Sequence, residues 1–67
     1  MKPLATLTII SRGASTSYLL HAGGVLVWNT RAYSTSAGRD AARERLKQWL
    51  KAHPYRVVLA EHQKEVA

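Results

Sequence analysis

The chain reads as a small α+β domain in the order β-β-β-α-β: an antiparallel three-stranded meander, one helix packed on one face, and a fourth strand at an edge. Three observations predict this. Residues 4–10, 16–21 and Val25–Tyr33 are alternating or rich in β-branched and aromatic side chains, residues 36–54 repeat with a helical period, and residues 55–61 return to a β-rich pattern. With 67 residues and no linker or repeat, a single domain over 1–67 is expected. A chain of this size buries only about 60% of its unfolded surface, so its stability is marginal.

The first strand places Ala5, Leu7 and Ile9 on one side and Thr6, Thr8 and Ile10 on the other. Arg12-Gly13-Ala14 reads as a three-residue turn, which pairs Leu7 with Leu19 and Ile9 with Ser17. Gly23-Gly24 is a two-residue turn signal that permits positive φ at both centres. It sets Leu20 opposite Val27, Leu19 opposite Trp28 and His21 opposite Leu26. The two registers agree on a core face of Ala5, Leu7, Ile9, Leu19, Leu26 and Trp28. The other face then holds Thr6, Thr8, Thr16, Tyr18, Leu20, Val25, Val27, Asn29, Arg31 and Tyr33. A one-residue slip at the glycine turn exchanges the faces of the hairpin, so both assignments stay open at this point.

Ser36 or Thr35 is the expected N-cap of the helix, with Asp40 early enough to favour its positive end. Ala42, Leu46, Trp49, Leu50 and His53 form an apolar stripe that belongs against the sheet. Pro54 marks the stop, because the residue before a proline is biased out of the α region. The first and third strands run the same way, and a right-handed return through the helix lays the fourth strand parallel to one of them at a sheet edge; which edge it takes is undecided from sequence. Residues 62–67 read as frayed or as a short helical turn. One helix covers one face of a four-stranded sheet and leaves the other to water or a partner.

Ten Lys and Arg against four Asp and Glu give a formal net charge of +6, an excess that attracts polyanions. There is no cysteine, which removes disulfides and thiolate metal sites and makes a reducing, cytoplasmic setting the expectation. No apolar run approaches the ~20 residues of a membrane-spanning helix, so no membrane role is expected. His21, His53 and His62 are too scattered for a zinc site. No carboxylate pair, phosphate-cradling glycine loop or Ser/His/Asp spacing is present, so neither catalytic residues nor a metal or cofactor are expected. His21 and His53 would pair as acid and base only if they met beside a hydroxyl such as Ser34, Thr35 or Ser36, and capping accounts for those hydroxyls more simply.

The candidate anion-binding residues are Arg39, Arg43, Lys47 and Lys51 on the helix and Arg31 on the sheet; Arg43, Lys47 and Lys51, each four residues after the last, form a row on one flank, with Arg45 alone on the opposite one. Such a row can neutralise phosphates of a nucleic acid or a nucleoprotein; it can equally be a solvated flank paired internally through Asp40–Arg43 and Glu44–Lys47. Tyr18, Leu20, Val25, Val27 and Tyr33 mark a candidate partner or self-association face, and a homodimer is one way to support so small a core. A non-enzymatic basic binding module follows, with a small protein–protein inhibitor or adaptor docking on an acidic surface as the alternative.

The strand-strand-strand-helix order is similar to that of the arm-type DNA-binding domains at the amino terminus of some tyrosine integrases, which lay a three-stranded sheet in the major groove. Those domains carry a Gly-Lys/Arg turn and a Thr-Lys-Lys-Glu-Ala-type start to the helix. This chain has Gly23-Gly24 and Ser34-Thr35-Ser36-Ala37-Gly38-Arg39 instead, so the groove-reading role does not carry over. In size, charge and lack of catalytic groups the chain also resembles the small inhibitors with which phages block host nucleic-acid machines such as CRISPR complexes.

Overall fold

The computed structural model describes the backbone of residues 2–65 and the side chains through residue 60. Its elements are β1 (Leu4–Arg12), β2 (Ser15–Ala22), β3 (Val25–Tyr33), α1 (Ser36–Ala52) and β4 (Arg56–Glu65), in one sheet of order β3-β2-β1-β4. The β1–β2 and β2–β3 pairs are antiparallel and β4 runs parallel to β1, which settles the edge that the sequence left open. Residues 62–65 continue β4 rather than fraying or turning helical, with Ile9 to Arg12 as their ladder partners. Residues 66 and 67 lie outside the described residues.

Two single-residue differences decide which side chains are buried. The first hairpin closes on two residues, with Arg12 opposite Ser15, and Gly13 alone takes a positive φ of 56°. That is the backbone of a turn with glycine at its first centre. It moves the register by one from the three-residue expectation, so Leu7 faces Leu20 and Ile9 faces Tyr18. At the second hairpin Gly23 and Gly24 form the expected turn, with φ of 59° and 79°, and His21 faces Leu26. The ladder then shifts: Leu20 faces Trp28 and Leu19 faces Asn29, leaving Val27 as an extra residue in β3.

The consequence is a corrected core. Ala5, Leu7, Ile9 and Trp28 lie on the helix side as expected, but β2 contributes Thr16, Tyr18 and Leu20 to it rather than Leu19. Leu20 is fully buried, the largest side chain to be so among the described residues. Leu26, expected in the core, is 45% exposed beside His21 on the open face.

Thr35 caps α1 from an extended backbone, its Oγ1 accepting the Gly38 N–H at 3.0 Å. Asp40 falls just beyond the first turn, which holds no acidic residue. At the other end the His53 N–H makes the last helical bond, donating to the Trp49 carbonyl at 3.0 Å, and Pro54, which has no N–H, ends the ladder. Gly38 allows the first turn to sit hard against the sheet, since a Cβ there would strike the backbone carbonyl of Tyr33. Trp49 gathers the aromatic groups at the far end: it lies 6.4 Å from the Trp28 ring and stacks with His53 at 4.4 Å and Tyr55 at 5.7 Å.

The helix is tied to the β3 side. The Arg45 guanidinium donates from Nη1 to Thr30 Oγ1 and to the Arg31 carbonyl, both at 3.3 Å. Four strands about 4.8 Å apart make a sheet wider than one helix of about 10 Å can cover. Cover is therefore incomplete even on the helix side: Leu7 and Ile9 are half-buried, and Leu59, opposite Leu7 on β4, is 62% exposed.

Candidate anion-binding surface and groove

Ala42, Leu46, Trp49 and Leu50 turn toward the sheet, and this fixes where the cations fall. Arg39, Arg43, Lys47 and Lys51 are all exposed along one flank of α1. Steps of four residues drift by about 40° around the axis, so the row winds from the sheet-side flank at Arg39 and Arg43 to the outer side at Lys47 and Lys51. It covers roughly 18 Å of axis, about the rise of five nucleotides in one strand. Among the described residues the row has one ion pair, Lys47 Nζ to Glu44 Oε1 at 3.6 Å, with both side chains more than half exposed. Such a pair contributes little. The anticipated Asp40–Arg43 pair does not form, and the side chains of Arg39, Arg43 and Lys51 have no ion-pair or hydrogen-bond partner among the described residues.

Arg31 does not join the row. It lies opposite Ser17 on the open face of β3, across the sheet from α1, beside the arm of Arg45. A smaller hollow at the β3 edge is lined by both arginines with Ser15, Tyr33, Gly38 and Ala41. The row on α1 and the arginines at the β3 edge are thus separate basic patches.

The partner face anticipated from Tyr18, Leu20, Val25, Val27 and Tyr33 is not one surface. Tyr18 and Leu20 are buried beneath the helix, Val25 shares their side at the exposed start of β3, Val27 is the extra bulge residue, and Tyr33 is 76% exposed on the opposite side. The histidines are likewise apart. His21 is on the open sheet face and His53 stacks on Trp49 at the helix C-terminus, the far end of α1 from Ser34, Thr35 and Ser36. No three His, Asp or Glu side chains come together among the described residues.

What the sequence reading missed is a groove beside the row. It runs between the first half of α1 and β1, with a volume of about 530 Å³. Leu7, Ile9 and Tyr18 form its floor, Ala42 and Leu46 its wall, and Arg39 and Arg43 its rim. One end closes on hydroxyls, where Thr16 Oγ1 and Ser34 Oγ are hydrogen-bonded at 2.8 Å and Thr16 Oγ1 donates to Ser11 Oγ at 3.5 Å. The signal for it lay in element count, because one helix of this width cannot seal four strands.

No protein family, curated protein or solved structure matches this chain. No helix among the described residues is long and apolar enough to cross a membrane.

Proposed function

We propose that the protein is a non-enzymatic binding module that grips a polyanion, a nucleic acid or the nucleic-acid part of a nucleoprotein, through Arg39, Arg43, Lys47 and Lys51. The observation that carries this reading is the exposure of four aligned cations with a single weak carboxylate partner among the described residues. Contacts of this kind neutralise phosphates without reading sequence. Arg31, on the other side of the sheet, lies outside the proposed contact.

The test is fluorescence anisotropy with labelled single- and double-stranded oligonucleotides of mixed sequence over a salt series. Four phosphate contacts give an affinity loss of about 50- to 150-fold between 50 and 200 mM salt. Absence of binding at 50 mM salt contradicts the reading.

A second reading, a small inhibitor or adaptor that docks on an acidic protein surface, is favoured by the groove, which offers apolar area that a phosphate backbone does not use. Pull-down with and without nuclease separates the two. A protein retained after nuclease treatment supports the second reading, and loss of every partner supports the first.

A further inference from the structure

We infer that the open half of the helix-side face seats an acidic amphipathic helix of a partner protein, lying beside α1 over β1 and β4. Its apolar stripe rests on Leu7, Ile9 and Leu59 and its carboxylates meet Arg39 and Arg43. The inference rests on the second reading above and names the chemistry of the partner.

Two physical arguments lead to a helix. α1 occupies the β3 side of the sheet, where Arg45 and Trp49 hold it, and leaves Leu59 62% exposed on the same side. The uncovered strip is about as wide as a helix, and helices packed side by side on a sheet stand 8–10 Å apart. A helix placed there completes the layer that α1 begins, in the manner of amphipathic helices that lay one face into an apolar groove.

Charge selects which helix. The groove rim is Arg39 and Arg43, neither engaged by a carboxylate among the described residues. Asp40 and Glu44 lie farther round α1, toward Lys47 and Lys51, so the rim is the part of the row least diluted by acid. A second copy of α1 is a poor occupant: it carries Arg39, Arg43, Arg45, Lys47 and Lys51 against Asp40 and Glu44, and would set cation against cation. A nucleic-acid strand satisfies the arginines but leaves Leu59, Leu7 and Ile9 without apolar partners, and Tyr18, with 9% exposure, offers no ring face for a base to stack on. An occupant with a leucine stripe flanked by glutamates uses both halves of the site.

The experiment is an amide and methyl NMR titration of the full chain with two synthetic peptides of about 18 residues, roughly five helical turns. Both contain the same Leu, Ala and Glu residues, in amphipathic order in one and scrambled in the other. The expected result is shifts at Leu7, Ile9, Ala42 and Leu59 with the ordered peptide, an affinity about tenfold above that of the scrambled one, and a drop of about tenfold for Leu59→Asp. Leu59 is exposed, so that variant leaves the fold in place, which its own spectrum verifies. Equal binding of the two peptides, shifts confined to the open face at Leu19 and Leu26, or no binding overturns the inference. A single-stranded oligonucleotide in a parallel titration tells the proposals apart. If it moves Leu7, Ile9 and Leu59 and the ordered peptide does not, the groove inference falls while the polyanion reading stands.

Discussion

Leu20 lies directly across the β2–β3 ladder from Trp28, and the two share the helix side of the sheet because Val27 is an extra residue in β3. Without that residue Trp28 would face Leu19 and turn to the open side relative to Leu20. The bulge thus joins the one large side chain that is fully buried among the described residues to the aromatic group around Trp49.

Truncation tests the register of the first hairpin, since a three-residue turn there would bring Leu19 and Leu26 to the helix side and turn Leu20 away from it. Leu20→Ala is expected to cost roughly 2–5 kcal/mol, enough to unfold a domain of this size, whereas Leu26→Ala at its exposed position costs less than about 1 kcal/mol. Urea unfolding of the two variants checks it; equal losses would mean that the hairpin is registered differently.

Gly38→Ala is expected to lower the melting temperature. Helix propensity alone favours alanine by about 1 kcal/mol, but the new methyl would strike the Tyr33 carbonyl and push the first turn of α1 off the sheet. Ala41→Gly, nearby and exposed, lowers stability by propensity alone. A thermal melt in which Gly38→Ala is stabilised would show that no close approach exists.

The ends of the elements were legible in the sequence where a single residue type has one physical use. Val25–Tyr33 was found whole because Gly23-Gly24 has one economical turn and the run after it suits only a strand. The helix stripe of Ala42, Leu46, Trp49 and Leu50 was legible from its 3.6-residue period, whereas His53, read into the same stripe, is exposed at the C-cap. Faces were harder, since with period-two alternation a difference of one residue reverses a strand. The turn at Gly13-Ala14 differed by one and so did the bulge at Val27. The differences reversed β2 yet cancelled in Trp28, which stayed on the side of Leu7 and Ile9. Arg43, Lys47 and Lys51 were legible as a row from spacing alone, and Arg39 extends it by one further step of four. Arg31 was placed by alternation on the sheet face that the helix leaves uncovered, and it lies there, apart from the row.

Capping gives a local test of where α1 begins. Thr35→Ala removes the side chain that accepts the Gly38 N–H and is expected to cost about 1 kcal/mol, while Ser36→Ala, one residue inside the helix, costs a few tenths at most. Thermal melts of the pair check it, with the reverse order placing the cap at Ser36.

The measurement that bears most directly on function is the salt dependence of oligonucleotide affinity for three proteins: wild type, a variant with Arg39, Arg43, Lys47 and Lys51 all changed to Gln, and a control with Arg31 and Arg56 changed to Gln. If the helix row is the contact, the row variant loses about one unit of slope in log affinity against log salt for each cation removed, and the control keeps the wild-type slope. A row variant that binds with the wild-type slope, or a control that loses as much, would contradict the account.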